Sequence, residues 1–181
     1  MYPNIARIVQ AALAIFGLTV TAAATWAAGH VSLDAALKPG KYTLAPQNAA
    51  GLRLDATDKS TTNGKQVQLW KSAGNPNQQW IFTKVAKGWY KIAPSYAPAL
   101  AVSVSGNSAK NGSPVVLWAD SGKAGQRWSL QPAKGGGYSL APQCAPGSRM
   151  DVTGWGAANG VKIQIWSATG GKNQTWAVGS K

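Results

Sequence analysis

Hydrophobic and polar residues alternate along short stretches of the chain, which is the pattern of half-buried β-strands. Over residues 66–70, valine and leucine share one face, while two glutamines and Trp70 share the other. The same alternation returns at 161–166, where Trp166 again lies on the polar side. No stretch of the repeated region has the period of an amphipathic helix, so we predict an all-β fold.

A short phrase of glutamine, any residue and tryptophan occurs three times in the chain. The copies are Asn77–Trp80, Gly125–Trp128 and Asn173–Trp176, with the first glutamine at 78, 126 and 174, a constant spacing of 48. The same shift aligns tyrosine-led stretches that end in Ala-Pro, and it aligns three Asn-Gly pairs. These alignments predict three units of about four short strands each, which stack around a common core. The units are 40–87, 88–135 and 136–181.

The tryptophans of this phrase are predicted to be structural core residues. Trp80 begins an alternating stretch with Phe82 on its own side, which suits a buried ring, and Trp128 and Trp176 are its equivalents. Two aspartates behave differently, because Asp55 and Asp151 lie on strand faces opposite to their apolar neighbours. We therefore expect these aspartates to point away from the core.

Composition argues against catalysis. The only histidine, His30, precedes the repeats, so no Ser-His-Asp or Cys-His arrangement can form within them. Cys144 is the only cysteine, which leaves too few ligands for a zinc site. We expect no enzyme activity, no metal and no cofactor.

The chain is strongly basic, with 18 Lys and Arg against 5 acidic residues, all of them aspartate, and a net charge of +13. Such a balance is found in proteins that bind nucleic acids or anionic envelopes. The basic residues are nevertheless spread over all three repeats without a dense run. This spread favours a solvated surface with weak attraction to polyanions over a specific nucleic-acid site.

The first 27 residues have the layout of a secretory signal peptide. One positive charge within Met1–Arg7 precedes the charge-free, apolar stretch Ile8–Thr25, and small residues offer cleavage near Ala24 or Ala27. The alternative is a retained membrane anchor, because the stretch approaches spanning length. Cleavage would give a secreted or periplasmic protein without stable membrane insertion, and residues 28–39 are predicted to be a leader.

Three repeats of about 48 residues, each ending on glutamine, any residue and tryptophan, resemble the ricin B-type lectin family. The resemblance covers residues 40–181. It implies a β-trefoil with four strands in each repeat and approximate threefold symmetry. It also implies that each repeat can bind a sugar in a shallow pocket.

In such a pocket, the resemblance implies an aspartate that accepts hydrogen bonds from sugar hydroxyls and an aromatic ring that supports the apolar face of the sugar. An asparagine adds a polar contact, and a glutamine braces the aspartate. These residue types suit a sugar, because a carboxylate binds hydroxyl donors strongly and a flat ring complements a C–H face. The implied sites, in the first and third repeats, are Asp55, Gln68, Trp70, Asn77 and Gln78, and Asp151, Gln164, Trp166, Asn173 and Gln174.

The second repeat departs from this pattern at three positions. Ser103 stands in place of the aspartate, Val116 in place of the strand glutamine and Gly125 in place of the asparagine. Trp118 and Gln126 remain. We predict that this repeat is structural.

Some residues near the implied sites have two interpretations. Asp58 is a candidate to assist the first site, and Trp155 either walls the third site or packs its loop. The two site aspartates have a structural alternative, which is to cap turns or pair with lysines such as Lys65 and Lys162.

The sequence therefore predicts an exported lectin, a carbohydrate-binding protein without catalysis, with two sugar sites. The alternative is a non-catalytic interaction module that binds a protein or an anionic polymer through its loops and basic surface. Sensitivity of binding to salt separates the two.

Overall fold

Twelve β-strands make up most of the regular structure of residues 37–181, the part of the chain that the computed structural model describes. The predicted signal segment 1–27 and most of the predicted leader lie outside the described residues. Within 37–181, no helix has the length and apolar character needed to cross a membrane. The strands are β1 Lys41–Pro46, β2 Leu52–Ala56, β3 Lys65–Lys71, β4 Trp80–Ala86, β5 Trp89–Pro94, β6 Leu100–Val104, β7 Val115–Ala119, β8 Trp128–Pro132, β9 Tyr138–Pro142, β10 Ser148–Val152, β11 Ile163–Ser167 and β12 Trp176–Ser180. The 3₁₀ turns are Gln47–Ala49, Thr57–Lys59, Pro76–Gln78, Ser105–Asn107, Ala124–Gln126, Thr153–Trp155 and Lys172–Gln174.

Six of the strands close into a barrel, in the order β1, β12, β9, β8, β5 and β4. The other strands form the hairpins β2–β3, β6–β7 and β10–β11, and β3 also pairs with β7. Each repeat thus contributes two barrel strands and one hairpin, and the repeats are related by approximate threefold symmetry. The prediction of an all-β β-trefoil is confirmed.

The three phrase tryptophans lie at the centre of the core. Trp80, Trp128 and Trp176 are 0% exposed and begin β4, β8 and β12. An indole is large, so truncating one to alanine would cost about 3–5 kcal/mol. Each indole N–H donates to a backbone carbonyl of the hairpin in its own repeat, which ties the barrel to that hairpin. The acceptors are the carbonyl oxygens of Leu54, Val102 and Met150, at 3.1, 2.8 and 3.1 Å.

The Asn-Gly pairs form turns that join each repeat to the next around the axis. Each asparagine side chain accepts a hydrogen bond from the strand end of the neighbouring repeat, and each glycine N–H donates to the same strand. Those strand ends carry the exposed tryptophans Trp70, Trp118 and Trp166. The asparagine bonds are Asn63 Oδ1 to Ala119 N at 2.7 Å, Asn111 Oδ1 to Ser167 N at 2.8 Å and Asn159 Oδ1 to Lys71 N at 2.7 Å.

Candidate sugar-binding sites

The structure brings the five predicted residues of the first repeat together around one cavity. Asp55 is the penultimate residue of β2 and lies beside its cross-strand partner Gln68 on β3; Trp70 follows Gln68 by two residues on the same face. The 3₁₀ turn before β4 supplies Asn77 and Gln78. These side chains line an open cavity of about 380 Å³.

The carboxylate of Asp55 lies at the base of this cavity and is only 2% exposed. Its Oδ1 accepts a hydrogen bond from Gln68 Nε2 at 3.2 Å, and its Oδ2 accepts from Asn77 Nδ2 at 2.7 Å and Gln78 Nε2 at 3.1 Å. Asp55 therefore points away from the apolar core and is still buried, because three amides cover it. The sequence did not indicate this burial.

The third repeat reproduces the same arrangement. Asp151, 3% exposed, accepts hydrogen bonds from Gln164 at 2.9 Å, Asn173 at 2.7 Å and Gln174 at 3.0 Å. Asp151, Gln164, Asn173 and Trp166 line a cavity of about 420 Å³, and Gln174 lies behind the carboxylate. The two predicted sets thus form two separate, equivalent constellations.

Burial raises the pKa of both site carboxyls above the ordinary aspartate value, although the amide hydrogen bonds act in the opposite direction. For Asp55, the nearby charge of Asp58 adds to the rise. Among residues 37–181, neither site carboxylate forms a salt bridge; Lys65 pairs with Asp58 instead, at 2.9 Å. The alternative of pairing with Lys65 is therefore excluded for Asp55. A carboxyl group in a cleft whose pKa is shifted by burial is a candidate functional group.

The asparagines are oriented toward the carboxylates at an energetic cost. Each directs Nδ2 to the aspartate, which leaves Oδ1 of Asn77 and of Asn173 buried without a partner among the described residues. An unsatisfied buried acceptor costs about 1–3 kcal/mol. This orientation therefore gives the carboxylate an amide donor and leaves the amide oxygen unpaired among the described residues.

The first glutamine of the repeated Gln-x-Trp motif holds the site aspartate in place. Gln78 Nε2 donates both to Asp55 and to the carbonyl oxygen of Lys71 at 3.0 Å, while its Oε1 accepts from Ala73 N at 2.9 Å. It thus connects the aspartate to the strand end that follows Trp70. Gln174 makes the same set of contacts in the third repeat.

The core tryptophan also positions the site, a role that the sequence did not reveal. Trp80 donates to the carbonyl of Leu54, the residue that directly precedes Asp55. Trp176 does the same for Met150, which precedes Asp151. The strand that carries each aspartate is therefore fixed by the buried ring.

The site tryptophans are exposed, as their strand faces indicated: Trp70 is 43% and Trp166 42% exposed. Directly across the hairpin, Arg53 pairs in register with Trp70, and Arg149 with Trp166. Ala101 occupies this position in the second repeat. Neither arginine lines its cavity, because each guanidinium donates to backbone carbonyls at the start of its own strand.

In the second repeat, a side chain of the repeat itself occupies part of the pocket. Asn107 Oδ1 accepts a hydrogen bond from the N–H of Gly125, the residue that replaces the site asparagine. A Cβ at residue 125 would lie 2.9 Å from that oxygen, which only glycine avoids. Gln126 keeps its bracing role and donates to Ser103 at 3.0 Å. The remaining cavity is about 200 Å³, with Trp118 still 45% exposed.

A turn beside each cavity is supported by the next repeat around the axis. In the first repeat, Tyr96 donates from its hydroxyl to the carbonyl of Ser60 at 2.8 Å. In the third, Asn48 Nδ2 donates to the carbonyls of Trp155 and Gly156 at 3.1 and 3.2 Å. Cys144 is half-buried and contacts Ser108 O at 3.6 Å in the second. Asn48, Tyr96 and Cys144 are equivalent by the 48-residue shift and had no predicted role of this kind.

Comparison with known proteins identifies the family. The chain matches the family described as ricin-type beta-trefoil lectin domain-like, over residues 22–118, 98–166 and 124–181. None of the curated proteins compared with the chain matches it.

Several solved structures share the fold. The designed threefold-symmetric protein ThreeFoil is 29% identical, with 78% of this chain and 99% of that chain covered and a TM-score of 0.75. An exo-beta-1,3-galactanase from Clostridium thermocellum is also 29% identical, with a TM-score of 0.74, and the match covers 80% of this chain but only 31% of the galactanase. The ricin B-like lectin of Macrolepiota procera, in complex with lactose, is 17% identical, with a TM-score of 0.68 and 80% and 99% of the two chains covered. By its repeats, its fold and the matched residues, the chain belongs to the ricin-type β-trefoil lectin-like family.

Proposed function

We propose that this chain is an exported carbohydrate-binding protein with two sugar sites, one in the first repeat and one in the third, and no catalysis of its own. The family and its lectin relatives support carbohydrate binding in general. One observation carries the two-site proposal. Asp55 and Asp151 are each buried under three amide donors beside an exposed tryptophan, and the second repeat lacks the aspartate and two of the three amides, although Trp118 and Gln126 remain.

The chemistry of each site suits a sugar hydroxyl. A carboxylate has about four acceptor positions, and the amides occupy three, so one position on Oδ1 remains for a hydroxyl donor. Trp70 or Trp166 provides a flat apolar surface for the C–H face of the ring. Such shallow sites bind weakly, near millimolar, or about −4 kcal/mol each. Two sites on one rigid body increase avidity for a repeating glycan.

Galactose-containing glycans are the first ligands to test. The Macrolepiota procera lectin is described in complex with lactose, and the Clostridium thermocellum relative as an exo-beta-1,3-galactanase. Galactose also presents a continuous C–H face because its axial hydroxyl lies on the other side, which suits stacking on one indole.

A glycan array with the full chain tests the proposal. We expect binding that the Asp55→Ala plus Asp151→Ala variant loses while it remains folded by circular dichroism. Ser103→Ala is the matched control, because Ser103 occupies the equivalent position in the second repeat, and it should bind as the parent does. Unchanged binding by the double variant would refute the site assignment.

A weaker attraction to anionic polymers is the second candidate function. In residues 37–181, every aspartate is either buried in a site or paired: Asp58 pairs with Lys65, and Asp120 pairs with Lys91 and Arg127. The basic surface is therefore little neutralised. Binding to heparin-type polymers that disappears at moderate salt would support this attraction.

Export is proposed from residues 1–27. Expression with the segment intact should yield mature protein that begins after Ala24 or Ala27, as measured by the mass of the product. A membrane-bound product of full mass would support the retained anchor.

A further inference from the structure

One position in the turn beside each cavity has the same backbone conformation but a different side chain in every repeat. Lys59, Asn107 and Trp155 end the equivalent 3₁₀ turns, with φ of 50°, 54° and 57°. Asparagine tolerates this left-handed region, whereas a bulky residue there is an outlier. Trp155 is therefore a conformationally costly choice, and strain of this kind concentrates at functional sites.

The ring of Trp155 is not needed to fix the turn. Asn48 already binds the carbonyls of Trp155 and Gly156. The Trp155 side chain is 56% exposed, the highest value among the exposed large hydrophobic residues of 37–181. An indole that stabilised the loop by packing would be mostly covered.

Gly171 provides the space that this ring occupies. A Cβ at residue 171 would lie 2.6 Å from Asn173 Oδ1 and 2.9 and 3.0 Å from two ring carbons of Trp155, so a larger residue would displace both side chains. The backbone does not require glycine, because φ is −70°, as against −68° and −64° at the equivalent Asn75 and Lys123. Gly171 thus leaves room for both Asn173 and the Trp155 ring, whereas the equivalent Asn75 and Lys123 carry side chains.

Trp155 and Trp166 line the same cavity from different elements. Asp151 and Asn173 line this cavity as well. Trp155 lies on the turn after β10, and Trp166 on β11. The first-repeat cavity has one tryptophan, Trp70, and its turn presents the charged Asp58 and Lys59 instead. Each cavity therefore contains an equivalent aspartate, but the surfaces around the two aspartates differ.

Resting on the proposed sugar site of the third repeat, we propose that Trp155 is a second stacking platform, so that this site binds a glycan of two or more sugar rings. One ring binds at Asp151 and Trp166, and the adjacent ring stacks on Trp155. The first-repeat site, without this platform, binds a single ring. Trp155 is then the residue that determines the length preference of the third site.

The test compares galactose with β-1,3-linked galactobiose, by following changes in the NMR spectrum of the full chain. The Asp55→Ala background leaves only the third site, and the Asp151→Ala background leaves only the first. We expect galactobiose to bind the third site about tenfold more tightly than galactose, as one added aromatic contact allows. The first site should show no such preference.

Trp155→Lys, which copies the first repeat, should remove this preference and change galactose affinity less than about twofold. Trp118→Ala is the matched control, since it removes an exposed tryptophan outside both proposed sites, and it should retain the preference. Thermal unfolding should show no loss of stability in Trp155→Lys, because the turn keeps its Asn48 bonds.

Two results would overturn the inference alone. These are an unchanged preference in Trp155→Lys, which would make Trp155 a packing residue, and an equal loss of galactose and galactobiose binding, which would place it against the first ring. Binding of neither sugar, or binding that survives loss of both aspartates, would instead overturn the proposed function, and this inference with it.

Discussion

Trp70 and Trp80 stand ten positions apart in the chain and have opposite surroundings. Trp70 is 43% exposed beside the candidate site, whereas Trp80 is fully buried. The buried ring still affects the site, because its N–H binds the carbonyl that precedes Asp55. The hydrogen bond from Trp80 to the Leu54 carbonyl therefore links the core to the candidate site.

Replacing Trp80 by phenylalanine should therefore weaken both stability and the first site. The carbonyl of Leu54 would lose its partner, at a cost of roughly 1–3 kcal/mol, measured by urea unfolding. Sugar affinity at the first site should fall as β2 loosens. Trp128→Phe is the control, because it removes the equivalent bond to Val102 in a repeat without a proposed site. Equal loss of sugar binding in both variants would contradict the positioning role.

Acidification should abolish sugar binding before it unfolds the protein. Burial raises the pKa of Asp55 and Asp151, so these carboxylates protonate and lose acceptor strength at a higher pH than ordinary aspartates do. A raised pKa in the folded state means that their protonation does not destabilise the fold. Sugar affinity measured from pH 7 downward should fall while the circular dichroism spectrum is unchanged.

The pKa of Asp120 shifts in the opposite direction, so this aspartate contributes to the pH dependence of folding. Partial burial acts to raise its pKa, but the Arg127 hydrogen bond, the Gly122 N–H and the charges of Arg127 and Lys91 lower it below the ordinary value. Its contribution to stability is present at neutral pH and is lost only as the pH falls below about 3.9. Loss of binding and of structure at the same pH would contradict the proposed order.

At the scale of elements, Trp70, Trp118 and Trp166 are each followed by a residue whose backbone N–H donates to the asparagine of an Asn-Gly turn in another repeat. Asn159, in the third repeat, accepts from Lys71 N, next to Trp70. Asn111, in the second, accepts from Ser167 N, next to Trp166. The two candidate sites therefore depend on turns outside their own repeats.

Removing the side chain of a turn asparagine should weaken sugar binding in a different repeat from the one that carries the substitution. Asn159→Ala should weaken the first site, and Asn111→Ala the third, each with a stability loss of about 1 kcal/mol. Asn63→Ala, which frees only Ala119 N in the second repeat, should lose similar stability without loss of sugar affinity. Affinities measured for the three variants in parallel check this pattern, and a loss confined to the mutated repeat would refute it.

The sequence predicted the features that depend on contacts within one repeat. It did not predict the contacts between repeats that form when the barrel closes. Strand faces placed Trp70 and Trp80 correctly, because alternation is local. The turn contact of Asn159 and the support from Asn48 join residues of different repeats that are distant in sequence. Nothing in the pattern of one strand indicates such contacts.

Across the whole molecule, two kinds of binding should differ in their response to salt. In the proposed sites the aspartates would bind neutral hydroxyls, whereas the basic surface would attract polyanions over distances that salt screens. Between 50 and roughly 500 mM salt, free galactose affinity should stay within about twofold, while polyanion binding should fall by orders of magnitude. Galactose binding that disappears with polyanion binding would favour the interaction module.

The central claim is that two of three similar repeats bind sugar, and indole N–H resonances of the ¹⁵N-labelled chain test it most directly. Galactose should shift the resonances of Trp70 and Trp166 and leave Trp118 and the buried tryptophans in place. Asp55→Ala should abolish only the Trp70 shift, and Asp151→Ala only the Trp166 shift. A shift of Trp118 with equal affinity, or shifts of Trp70 and Trp166 that persist without the two aspartates, would contradict the account.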